Sequence, residues 1–304
     1  MQLGDGRESG NIEDRRDSGG GGRRGVPIGI AGGGIGTVVL VLVALFFGVD
    51  PSIILSGVGG DAPQAPNPQV NERQVNERQA RRQGEPVDPS QDGARRFVSQ
   101  VLATTEDVWS DTFRRAGNTY QPPNLVLFSG GTQSACGFAQ TATGPFYCPG
   151  DQKVYLDLDF FRDMERKLNA PGDFARAYVI AHEVGHHVQN QIGTLRRVES
   201  ERRGLGERES NALQVRVELQ ADCFAGVWAN RTQQQRPVLE PGDIEEGINA
   251  AAAVGDDRLQ RQSRGTVVPE SFTHGSSAQR VRWFRRGLEA GDPRQCDSFA
   301  AAQP

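Results

Sequence analysis

The sequence predicts an α+β fold, mainly helical with a small sheet, preceded by one transmembrane helix. Three observations predict it: a charge-free apolar run at 25–49, strand-like runs at 125–128 and 154–158, and helical periodicity from about residue 161 onward.

The elements follow in chain order. Residues 1–24 are glycine-rich and charged with almost no apolar content, so they are expected to be a disordered cytoplasmic tail. Residues 25–49 carry no charge, and Thr37 to Phe47 are apolar all round, long enough to cross a bilayer that needs about 20 residues. No good small-x-small cleavage site follows Val49, and the apolar run is longer than the about 7–15 residues usual in a signal peptide, which argues against one. Arg23 and Arg24 precede this run and the first basic residue after it is Arg73. The positive-inside bias therefore predicts a single-pass cell-membrane protein, its N-terminus cytoplasmic and its catalytic domain extracytoplasmic. Residues 50–93, rich in Pro, Gln, Asn and Gly and carrying two copies of Val-Asn-Glu-Arg-Gln, read as a flexible stalk.

The folded domain is expected over 94–304. It opens with an amphipathic helix bearing Phe97, Val101, Val108, Trp109 and Phe113, which Pro122-Pro123 ends. Strands at 125–128 and 154–158 flank a glycine-rich loop with Cys136 and Cys148. Helices are expected near 171–191, 208–230, 242–262 and 276–289, the first with Pro171 in its opening turn.

Composition narrows the partners. The net charge is only −4, and acids are interspersed among the arginines, so no basic stripe marks a nucleic-acid site. Four cysteines without a C-x-x-C spacing argue against a cysteine zinc cluster. In an oxidising compartment the expected disulfides are Cys136–Cys148, across a short loop, and Cys223–Cys296, although four cysteines allow three pairings.

The segment His182-Glu183-Val184-Gly185-His186 fits H-E-x-x-H. Residues four apart share a helix face, so His182 and His186 are placed to bind one ion while Glu183, about 100° around, reaches a water without being a ligand. The alternative, a surface helix with chance histidines, sits badly with four histidines in the whole chain and an apolar run before the motif. His187 points elsewhere, to a structural or supporting role. A catalytic zinc needs a third protein ligand and an open position. Gln189 and Ile192 stand where the metzincin pattern requires Gly and His. On a later apolar helix Glu218 and Asp222 are four apart, and two buried carboxylates require cations. Glu218 is the expected third ligand, and Asp222 the group that fixes a ligand histidine's tautomer. The competing reading pairs both with arginines such as Arg216.

H-E-x-x-H followed by E-x-x-x-D resembles the gluzincin metallopeptidases. More closely the chain resembles the bacterial neutral zinc metallopeptidases with an N-terminal membrane span. The resemblance rests on Cys136-Gly137, Gly144 to Pro149, Val154 to Asp157, His182 to Gln189, Glu218 to Cys223 and His274 to Arg280. It implies a zincin-like domain, one Zn2+ per chain, and a peptide or protein substrate. Zinc would activate a water, Glu183 would act as general base, and His274, just before the last helix, would donate to the transition state; Tyr147 and Tyr155 are weaker candidates. The strand at 154–158 is the expected edge for an extended substrate.

Two rivals come from other classes. An inactive, zinc-stabilised membrane-tethered binding or adaptor module would close its coordination with four protein ligands and have no use for Glu183. A di-iron site wants two E-x-x-H motifs, and one is present.

Overall fold

The computed structural model describes residues 1–16, 89–140 and 144–302. The expected membrane span, 25–49, and nearly all of the stalk lie outside these residues. No described helix is long and apolar enough to cross a membrane.

The first correction comes at the start of the chain. Residues 1–16, read as disordered for want of apolar content, pack against the domain and supply a strand, β1 (Ile12–Asp14). Helix α1 (Pro89–Arg115) then opens five residues before the expected boundary and buries Val98, Val101, Leu102, Val108 and Trp109. Strands β2 (Asn124–Phe128), β3 (Gly131–Ser134), β4 (Gly137–Gln140), β5 (Phe146–Cys148) and β6 (Lys153–Asp157) follow. The main sheet has the order β1-β2-β6-β5: β1 and β6 run parallel to β2, and β5 runs antiparallel to β6. β3 and β4 form a separate hairpin.

This order displaces the expected substrate edge. β6 is interior, paired on both sides, with Leu125 opposite Val154 and Tyr147 opposite Val154 from the other side. Its backbone groups are spent on neighbours, and β5 is the outer strand instead.

The helical half comprises α2 (Asp159–Leu168), α3 (Asp173–Gln191), α4 (Thr194–Arg202), α5 (Glu207–Gln235), α6 (Asp243–Ala253), α7 (Asp256–Arg264) and α8 (Ser277–Ala290). Pro171 stands before α3, not in its first turn. Two short helices, α2 and α4, fall in the stretch read as helical from about residue 161 but were given no bounds there, and the single helix expected over 242–262 is two. It breaks at Gly255, where a Cβ would stand 2.4 Å from the Ser277 backbone nitrogen, so only glycine lets α8 begin there.

The core lies where α3, α5 and α8 cross. Phe174 stacks on Trp228, and Phe284 meets Tyr178 edge-on, all buried. α5 and α8 touch backbone to backbone: a Cβ on Gly287 would lie 1.9 Å from the Cys223 carbonyl oxygen. The disulfides lie as expected: Cys136–Cys148 closes the loop before β5, and Cys223–Cys296 ties the C-terminal segment to α5.

Candidate metal centre

The centre is built by two helices. α3 is apolar on nearly every face, and its burial brings His182 and Glu183 inside, 6% and 8% exposed. Gly185 sets the distance to α5, since a Cβ there would meet the Ala221 backbone at 3.1 Å. That close approach puts Glu218 and Asp222, on either side of Ala221, against the motif histidines.

His182 Nε2 lies 3.2 Å from Glu218 Oε2, and His186 Nε2 lies 3.5 Å from the same oxygen. The three candidate ligand atoms all fall within 4.8 Å of one another. Ligand atoms about 2.1 Å from a tetrahedral zinc stand roughly 3.4 Å apart, so the spacing suits that ion. Two imidazole nitrogens and one carboxylate match in number and type the three protein donors of a catalytic zinc site, one short of the four a structural site uses.

The surroundings fix each ligand. His182 Nδ1 pairs with Asp222 Oδ1 at 2.9 Å, His186 Nδ1 with Gln189 Oε1 at 2.9 Å, and Gln214 Nε2 donates to the second Glu218 oxygen at 2.9 Å. Gln189 is itself anchored, donating to the Val217 carbonyl at 2.7 Å. Both nitrogens of His182 and His186 are thereby oriented, as metal-binding imidazoles require.

Asp222, wholly buried, also receives the Arg280 guanidinium through Nε at 2.8 Å and Nη2 at 2.9 Å, and the Tyr178 hydroxyl. Burial raises the Asp222 pKa, but Arg280 and His182 outweigh it and hold the carboxyl below its usual range. Glu218 behaves alike: burial opposes its charge, and His186 and His182 draw it well below the ordinary glutamate value. Burial also opposes a charge on His182, yet Asp222 and Glu218 prevail and raise it to about 9.

Glu183 differs from every other acid here. The residue is largely buried beside His182 and His186 on the same helix, yet among the described residues its carboxylate has no hydrogen-bond or ion-pair partner and keeps some contact with solvent.

His274 enters from the loop before α8. Its Nδ1 lies 3.2 Å from Asp256 Oδ1, while Asp256 Oδ2 accepts the backbone N–H groups of Thr273, His274 and Gly275 at 2.7, 2.6 and 3.0 Å. Burial disfavours its charge, but Asp256 and then Glu218 raise its pKa, so His274 feels the ligand carboxylate's field. His187 faces away: Nδ1 meets the Tyr147 hydroxyl at 3.1 Å and Nε2 the Gln121 carbonyl at 2.6 Å, and burial lowers its pKa. Tyr147 is held by His187 and Asn190, and Tyr155 donates to Asp151, so both are committed to structure.

Sequence reasoning assigned no role to Asp256, Arg280, Tyr178, Gln189 or Gln214. Arg280 sat inside a recognised segment without a reason to single it out. Arg216, the arginine offered for Asp222, instead donates to the carbonyls of Ser298, Phe299 and Ala301.

A family model described as "Putative neutral zinc metallopeptidase" matches residues 1–299. The chain belongs to this family. The relatives are similar over long stretches. Uncharacterized protein YpfJ of Escherichia coli strain K12 is 49% identical over 296 residues, 96% of each chain. Uncharacterized protein Rv2575 of Mycobacterium tuberculosis strain H37Rv is 44% identical over 219 residues, 69% of this chain and 73% of its own. No solved structure matches. The family match begins at residue 1, so the packed N-terminal segment falls within the family's extent, as do His182, His186 and Glu218.

Proposed function

We propose that this metallopeptidase family member hydrolyses peptide bonds with a zinc ion held by His182, His186 and Glu218. The observation that carries the reading is the pairing of a three-donor cluster with a buried, unpartnered Glu183 next to it. A structural site needs no such group, whereas a general base must be free to take a proton.

Held by His182, His186 and Glu218, zinc would supply Lewis acidity for activating water and polarising a carbonyl. The rest is done by the chain's own side chains. Glu183 accepts a proton from the attacking water and passes it to the leaving amine. His274, its Nδ1 committed to Asp256, presents Nε2 as donor to the developing oxyanion. Asp222, clamped by Arg280, fixes the tautomer of His182 by taking its Nδ1–H. An extended peptide lies along β5, the outer strand nearest α3, its main chain pairing as an added strand.

The test is metal analysis of the purified full chain together with cleavage of casein or a peptide library, with and without chelator. Zinc near one per chain and chelator-sensitive cleavage are expected, with Glu218→Ala losing both. Full zinc with no cleavage would turn the reading toward a binding module.

A further inference from the structure

The positive-inside bias leads us to expect residues 1–24 and the domain on opposite sides of a membrane. The structure places residues 1–16 on the domain itself, through three sets of contacts.

The first is the sheet. β1 pairs with β2 in register, Ile12 with Leu125, Glu13 with Val126 and Asp14 with Leu127, and the pairing is extended by Leu125 N–H to the Asn11 carbonyl and Arg15 N–H to the Leu127 carbonyl, each 2.8 Å. Lys153, on β6, reaches across β2 to Glu13 at 2.7 Å. The second is α1, whose Glu106 is buried and takes its polar partners from this one segment: Arg7 at 2.9 Å, Asn11 at 2.8 Å, and the Ser9 hydroxyl. Gln100 and Ser99 bond the carbonyls of Gly4, Gly6 and Ser9. The third is the core, where Leu3 is 5% exposed and joins the main apolar cluster.

These contacts are those of a built-in element. Without it Glu106 loses its counter-charge, and Leu125, Val126 and Leu127, fully buried, lie on an open sheet edge. A chain that crosses a bilayer once between residues 17 and 88 must leave its two flanks on opposite sides. Docked flanks cannot be on opposite sides.

We propose that residues 1–16 are an integral strand and clasp of the peptidase domain, and that both lie on the same side of any membrane.

The experiment introduces one cysteine at a time into the full chain, Gly10→Cys or Leu205→Cys, both at exposed positions; a Cβ at Gly10 meets open space and the native cysteines are all bridged. Cells stripped of their wall are treated with a membrane-impermeant maleimide before and after lysis. The two positions are expected to behave alike, both labelled or both protected before lysis. One labelled and the other protected overturns the proposal. Docking is read separately by amide exchange of the purified full chain. Peptides covering 11–15 are expected to exchange as slowly as those of β2, and exchange at the rate of an unstructured peptide overturns it.

Discussion

Asp222 and Glu106 are alike on paper: each is a helical carboxylate that takes an arginine and two further polar partners. Asp222 is fully buried, and its arginine, Arg280, is 3% exposed. Glu106 is buried, but its arginine, Arg7, has a side chain 48% exposed. The difference in solvent decides what each network is for. Where both charges are desolvated, removing one leaves the other stranded at high cost, so geometry is held tightly enough to orient a metal-binding imidazole. Where water screens one partner, a pair contributes little, and the N-terminal clasp depends on many weak contacts and strand pairing.

The largest effect expected at the buried network's site is on turnover. Glu183→Gln keeps shape and all three ligands, so zinc content should be unchanged while kcat/KM falls by about 10²–10⁴ or more. Loss of zinc in this variant, measured by metal analysis, would show Glu183 to be a ligand and break the role assignment.

Next is Arg280→Met, which strands Asp222. It should cost about 3–5 kcal/mol in denaturant unfolding. A cost below about 1 kcal/mol would mean that the Asp222 network is no more desolvated than that of Glu106.

Asp222→Asn keeps volume but weakens the acceptor for His182 Nδ1–H. Zinc affinity should drop roughly 10–100-fold in a competition titration with a chelator. An unchanged affinity would remove Asp222 from the site's machinery and leave it a partner for Arg280 alone.

Arg7→Met is the counterpart on the clasp. With the arginine half exposed, about 0.2–1 kcal/mol is expected, shrinking with added salt. A loss as large as that of Arg280→Met would erase the contrast between the two networks.

The smallest effect is on pH. Glu13 is drawn down from 4.5 to about 2 by its hydrogen bonds to Arg15 and Lys153. Its contribution to docking is therefore complete above pH 4.5 and lost as pH falls through about 2. Protection of the 11–15 amides, taken relative to the free-peptide exchange rate at each pH, should fall across that window in the wild type and less so in Glu13→Gln.

What the sequence by itself determined is what recurs within one turn of one helix. His182 and His186 share a face because they are four apart, as do Glu218 and Asp222, and a buried carboxylate pair demands cations wherever the helix goes. The order of strands before helices and the opening helix were legible in the same local way, whereas the cysteine pairing, one of three the sequence allows, joins Cys223 to Cys296 across 73 residues. The tertiary structure decided whatever depended on distant chain meeting. Asp222's counter-ion is Arg280 and not the nearby Arg216, because α8 crosses α5 at Gly287 and brings Arg280 over it. Asp256 orients His274 across a helix break that periodicity did not show, since Gly255 is set by its fit against Ser277 and not by any pattern. Residues 1–16 read as disordered because composition counts only the apolar surface a segment carries. It cannot count the open sheet edge and the buried Glu106 waiting for it far along the chain, and those contacts, not local propensity, fold the segment.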